Sequence, residues 1–303
     1  MSLLVVGSVA FDSVATPFGQ VEEVLGGSGT FFSTAASFFT DVQLVAVVGE
    51  DFPDEHRRFL ESREIDLRGL RTAPGRTFRW KGRYGFDLNE AQTLDTQLNV
   101  FETFRPELPA GYEDAEYVFL ANIDPELQMD VLKQVKRPRL VACDTMNFWI
   151  SGKREALLKT LRHVDLLVIN EGETRQLAGE ANLVKAARAI LAMGPKTLVV
   201  KRGEYGVIMF TEHSIFTVPA YPLETVFDPT GAGDTFAGGF MGYLASTRNL
   251  SDANIRQAII FGSIMASFNV EDFSLNRLKT LDIAQVHERF RQFRLLTDFS
   301  AEP

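Results

Sequence analysis

Short apolar runs bounded by Gly, Asp or Asn recur along the chain, at residues 3–6, 44–48, 117–120, 140–143, 166–169 and 198–200. Each is nearly continuous rather than alternating, the pattern of strands covered on both faces. Between them the apolar positions change period: Leu127, Val131, Leu132 and Val135 recur at helical spacing, as do Leu183, Ala186, Ala187, Ile190 and Leu191. Strand followed by helix, repeated, predicts an α/β fold with a mostly parallel central sheet and helices on both faces. The last third reads as more helical, with helices expected over 234–248, 252–268 and 283–293.

Two stretches break this rhythm. Residues 13–27 and 71–107 are richer in Thr, Arg, Gly and aromatic residues and carry no long helical pattern. Within the second, residues 77–84 alternate in part, as an antiparallel strand with one wet face does. These stretches are expected to form a small β lid, leaving 1–12, 28–70 and 108–303 as the main domain. An exposed edge of such a sheet offers itself to a second copy of the chain, which would make a homodimer through the lid.

Composition adds mainly exclusions. A chain of 303 residues that is 45% hydrophobic can fill a large core, while a formal net charge of −9 argues against generic attraction to nucleic acid or an anionic membrane surface. Cys143 is the single cysteine and lies in an apolar run, so a buried thiol in a reducing compartment is expected rather than a disulfide. No apolar stretch approaches the roughly 20 residues needed to span a bilayer, and the chain enters a strand too early for a signal peptide. A cytoplasmic protein is the expectation.

Candidate chemistry concentrates in Asp228-Pro229-Thr230-Gly231-Ala232-Gly233-Asp234-Thr235-Phe236 and the small residues 237–239 that follow. Gly231 and Gly233 admit a ligand close to the main chain, and the helix expected to begin near Gly233 presents unpaired N–H groups and a positive dipole end to phosphate oxygens. Asp234 there has two readings, a first-turn helix stabiliser or a general base, and local physics does not choose between them. The chain holds neither a GxxxxGK[ST] loop nor a GxGxxG fingerprint.

This segment closely resembles the C-terminal signature of the PfkB (ribokinase-like) carbohydrate kinases, and other segments fall where that family's pattern places them. Gly7 to Asp12, Gly26-Gly27, Asn170-Glu171-Gly172-Glu173 and Lys201-Arg202-Gly203 are similar to its substrate and nucleotide elements. The resemblance implies a ribokinase-like fold that phosphorylates a hydroxyl of a sugar or sugar-containing molecule with ATP and Mg²⁺. Asp234 would be the base, with Gly231, Ala232 and Gly233 as the anion hole. Asp12, Gly26, Gly27, Phe31, Asn122 and Asn147 would meet the acceptor; Asn170, Glu173, Lys201, Gly203, Thr230 and Gly262 would meet the nucleotide. Glu173 would order Mg²⁺ through water, and the backbone at Asp228, with a late loop over 266–274, would suit a monovalent cation such as K⁺. The Asn170–Glu173 spacing equally satisfies a helix capping box.

One departure bears on the acceptor. Where the family usually carries a sugar-contacting Asn after the di-glycine, this chain has Phe31. An aromatic there favours an acceptor with a base attached, so a nucleoside kinase is the alternative within enzymes. A catalytically idle ligand sensor is the alternative of another class. Phe31, Phe32, Phe38 and Phe39 equally suit core packing, and Arg76, Arg79, Lys81 and Arg83 read as a solvated strand face rather than a phosphate site.

Overall fold

The apolar runs become strands. The computed structural model describes residues 2–298. Along them lie thirteen strands: β1 (Ser2–Val6), β2 (Ala10–Thr16), β3 (Gly19–Gly26), β4 (Asp41–Gly49), β5 (Ile65–Ala73), β6 (Phe78–Tyr84), β7 (Ala91–Gln97), β8 (Tyr117–Leu120), β9 (Leu140–Cys143), β10 (Leu166–Asn170), β11 (Thr197–Lys201), β12 (Val207–Thr211) and β13 (Ile215–Val218). A large sheet has the order β13-β12-β11-β10-β9-β8-β1-β4-β5. From β11 to β5 every neighbouring pair is parallel; β12 and β13 join antiparallel at one edge.

Burial explains the continuous apolar strands. In β1, Leu3 and Val5 enter one core cluster and Leu4 and Val6 the other, because successive side chains point to opposite faces. One face is covered by helices Ser28–Ala36, Ala232–Thr247 and Asp252–Asn269. The other is covered by Pro125–Leu132, Arg154–Leu161, Glu171–Ala178 and Leu183–Leu191. Phe32 stacks on Phe119 of β8 at 4.3 Å between centroids, and the Cys143 thiol is buried.

The four remaining strands make a small sheet in the order β3-β2-β6-β7. Its bounds differ from the stretches of unusual composition. β2 begins at Ala10, so Asp12 lies in the small sheet, and residues 71–73 finish β5, where Thr72 and Ala73 pair with Val48 and Gly49 of the large sheet. Val100 and Phe104 return the chain to the main core. Strand β6 is antiparallel to β7 but parallel to β2.

The helix Ala232–Thr247 is wedged between two others, and its small residues permit this. A Cβ on Gly238 would collide with the Phe32 carbonyl oxygen, and one on Gly239 would lie 2.7 Å from Met265 Cγ. Gly238→Ala would gain about 1 kcal/mol from helix propensity alone, against about 1–3 kcal/mol for overpacking. Since the clash is with backbone, the overpacking cost should win: chemical denaturation is expected to show a net loss of stability, and a gain would contradict the close helix approach.

Candidate active site

The parallel strands end along one edge, where open α/β sheets bind ligands. Lys201 closes β11, Asn170 closes β10, and Asp144 and Asn122 follow β9 and β8. Facing them is the N-terminus of Ala232–Thr247. Its cap, Gly231, has φ 74°, a left-handed conformation that suits glycine. A side chain there would also collide with the Phe31 ring. The N–H groups of Gly231 and Gly233 make no hydrogen bond among the described residues, whereas the Ala232 N–H donates to the Pro229 carbonyl at 3.1 Å. Of the three amides expected to form an anion hole over 231–233, the turn itself uses that of Ala232 and leaves those of Gly231 and Gly233 unpaired.

Three further residues hold this turn. Asn269 is fully buried; its Nδ2 donates to the Thr230 carbonyl (2.8 Å) and its Oδ1 accepts from Thr235 Oγ1 (3.1 Å), so it grips both sides of the glycines. The Asp228 carboxylate accepts from the N–H groups of Thr230 (2.9 Å) and Ser274 (3.3 Å), tying the turn to the late loop. Tyr84, at the end of β6, accepts a hydrogen bond from Thr230 Oγ1 at 3.4 Å and so brings the small sheet onto the turn. Asn269 and Tyr84 escaped the sequence reading, since each acts on a partner far away in the chain.

Lys201 supplies positive charge. Its Nζ donates to Asp144 Oδ2 at 3.2 Å and sits 2.9 Å from where a Gly233 Cβ would be. Burial works against its charge, but Asp144, Glu173 and Asp234 outweigh that and hold it above the ordinary lysine value, as an ammonium. The carboxyls respond in the opposite sense. Burial, reinforced by the Asp144 charge and opposed by Lys201, raises Asp234 to about 7. Glu173 rises to about 7 for the same leading reasons. Asp12 also reaches about 7, through burial first, with the Gly27 N–H opposing and Asp228 and Asp234 adding to it.

On the acceptor side, Asp12 lies over Gly26, where any Cβ would strike its carboxylate. Gly27 (φ 93°) then starts the helix Ser28–Ala36. The di-glycine thus makes room for a carboxylate and turns the chain. Asn122 Oδ1 accepts from Trp149 Nε1 (3.1 Å), and Asn147 is exposed at the start of its helix. Asn170 and Glu173 form the capping box: Glu173 Oε2 takes the Asn170 N–H (2.8 Å) and Asn170 Oδ1 the Glu173 N–H (2.7 Å). Gly203 lies beside β11 under Asn89 of the small sheet, whose Oδ1 accepts from the Glu204 N–H at 3.4 Å.

Two expected contacts take another form. Phe31 is 1% exposed, its ring packed beneath Gly231, so it supports the glycine turn and has no open face for an acceptor. Gly262 is buried in a helix–helix contact, where a Cβ would lie 2.8 Å from the Phe236 carbonyl oxygen, so its missing side chain lets the two helices pack. Arg79 lies on the face of the small sheet opposite Asp12 and pairs with Glu23 (2.6 Å) and Asp51 (2.9 Å).

Comparison with known proteins follows this geometry. The model of the pfkB family carbohydrate kinases matches residues 2–280. A cytidine kinase of Thermococcus kodakarensis is 30% identical over 260 residues, covering 83% of this chain and 91% of that protein. The crystal structure of Methanocaldococcus jannaschii nucleoside kinase superposes with a TM-score of 0.75 at 20% identity, covering 96% of this chain and 98% of that one. An E. coli protein of the same ribokinase-like fold, solved with ATP and Mg²⁺, gives 0.77 at 18% identity, with 96% and 99% covered.

The raised carboxyls have a consequence for stability. A group that holds its proton more tightly when folded stabilises the fold below its unfolded value, near 4, and loses that contribution as pH rises through about 7. Between pH 5 and pH 8, wild type should therefore lose roughly 1–3 kcal/mol more than Asp234→Asn, after allowing for solvent in the cleft. Parallel stability curves from urea denaturation would show that Asp234 is not raised.

Proposed function

Because the chain belongs to the pfkB family of carbohydrate kinases, we propose that it transfers the γ-phosphoryl group of Mg·ATP to the primary hydroxyl of a nucleoside. The observation that carries this reading is Asp234 at a helix N-terminus, between the glycine amides and Lys201, within electrostatic reach of Asp12. The similarity to a cytidine kinase supports the choice of acceptor class.

In this reading Asp12 accepts hydrogen bonds from the ring hydroxyls of the pentose, which leaves the exocyclic hydroxymethyl group to reach Asp234. Asp234 takes its proton as the oxygen attacks phosphorus. The N–H groups of Gly231 and Gly233, the helix dipole and Lys201 stabilise the charge that develops on the transferring group. Glu173 keeps one carboxylate oxygen outside its capping bond and suits a hydrated Mg²⁺, which would screen the phosphates. Mg²⁺ dehydrates reluctantly, so such an ion would keep its waters and take its other ligands from phosphate. The small sheet, held on the site by Tyr84 and Asn89, would exclude water and so limit wasteful hydrolysis. No helix among the described residues is long and apolar enough to cross a membrane; we place the enzyme in the cytoplasm.

The test is ADP release with Mg·ATP and potassium across sugars, sugar phosphates and nucleosides. A nucleoside should give the highest kcat/KM. Asp234→Asn should cut kcat about 100- to 10,000-fold with the fold intact by circular dichroism. Activity should also fall as pH drops below about 7, since a protonated Asp234 cannot accept the hydroxyl proton. Near-normal turnover in Asp234→Asn would remove it as base, and a free sugar preferred over every nucleoside would overturn the acceptor.

A further inference from the structure

Asp12 identifies which face of the small sheet looks into the cleft. Strands β2 and β6 are parallel and in register, with Phe11 opposite Arg79 and Asp12 opposite Trp80. Paired residues on neighbouring strands point the same way, and successive residues alternate. Contacts separate the two faces. The Arg79 guanidinium lies over the Phe11 ring, 5.1 Å from its centroid, on the face packed against Phe52 and His56. Trp80 therefore shares the inner face with Asp12. Tyr84, an even number of residues further along β6, reaches Thr230 from that same face.

The pose of the indole is also fixed. Trp80 Nε1 donates to Thr93 Oγ1 at 3.2 Å, and a Cβ built on Gly82 would fall among the atoms of its six-membered ring. The ring thus lies along the strand over Gly82, on the face that Asp12 shares, and the residue is half-buried. With Phe31 closed off beneath Gly231, Trp80 and Tyr84 are the aromatic rings on the face that Asp12 shares, and Trp80 is the one paired directly across from Asp12.

We propose that Trp80 is the platform on which the base of the acceptor stacks, and so a specificity-determining residue; this rests on the nucleoside reading above. The indole over Gly82 stands about two residues, roughly 7 Å, along β6 from the position opposite Asp12. That is room for a pentose on Asp12 with its base over the indole. A free pentose would leave the indole facing water, whereas a base covers it and gains stacking.

The chain has two tryptophans, so emission can be assigned by substitution. The probe is cytidine, followed by the other ribonucleosides. Cytidine is expected to quench wild-type emission, and the change should vanish in Trp80→Phe, where Trp149 remains. Trp80→Phe keeps a flat ring and should hold the KM for cytidine within about threefold, whereas Trp80→Ala should raise it about tenfold or more. The KM for Mg·ATP should stay unchanged in both. A Trp80→Ala enzyme with an unaltered cytidine KM, or one whose cytidine and ATP KM values rise together, would overturn the platform. Wild type that phosphorylates no ribonucleoside would instead remove the acceptor reading, and the role of Trp80 with it.

Discussion

The ammonium of Lys201 is set against the carboxylates of Asp144, Glu173 and Asp234 at the positive end of a helix, and the rest of the site depends on this balance. Three like charges gathered in a partly dry cleft repel one another and resist ionisation. One buried ammonium beside Gly233 lowers that repulsion enough for Asp234 to titrate near neutrality rather than remain protonated. A carboxyl poised near 7 can both accept a proton and later release it, which one fixed in either state does less well. The same charge, with two glycine amides, makes the turn attractive to a phosphoryl group.

Holding that balance requires a rigid turn, and the core provides it. Gly231 is supported from below by Phe31, gripped from the side by Asn269, and tied through Asp228 to the late loop. Glycines at 238 and 239 let its helix sit between two others without a gap. The carboxylate proposed to hold the acceptor comes from another sheet, through Asp12 on β2, and Tyr84 and Asn89 bring that sheet to the turn and to the end of β11. The two halves of the site are thus separate in architecture and joined by a few polar contacts, an arrangement suited to opening and closing.

What was legible in the sequence follows from the range of the interactions. Continuous apolar runs announced the parallel strands because both faces of each are buried. The Asp228–Asp234 turn and the Asn170–Glu173 capping box were legible because their partners lie within a few residues. Pairs distant in sequence were not: Lys201 and Asp144 stand 57 residues apart and Asn269 and Thr230 39 apart, with no local pattern linking them. Phe31 and Gly262 show what packing adds. A motif places a residue near a ligand in sequence order, but only packing shows that one ring supports a glycine and the other residue joins two helices. The inner face of the small sheet was hidden as well, since residues 77–84 alternate but nothing local says which alternate set meets the cleft.

The central claim is that a primary hydroxyl, delivered by Asp12 to Asp234, receives the phosphoryl group. Phosphorus NMR of the product formed from cytidine and Mg·ATP tests this directly. The account predicts a monophosphate whose phosphorus couples to two equivalent-type protons on one carbon, as a primary phosphate ester does. Coupling to a single ring proton would mean that a secondary hydroxyl is the acceptor. Inorganic phosphate without any ester would mean that water is the acceptor, and either result would contradict the arrangement described.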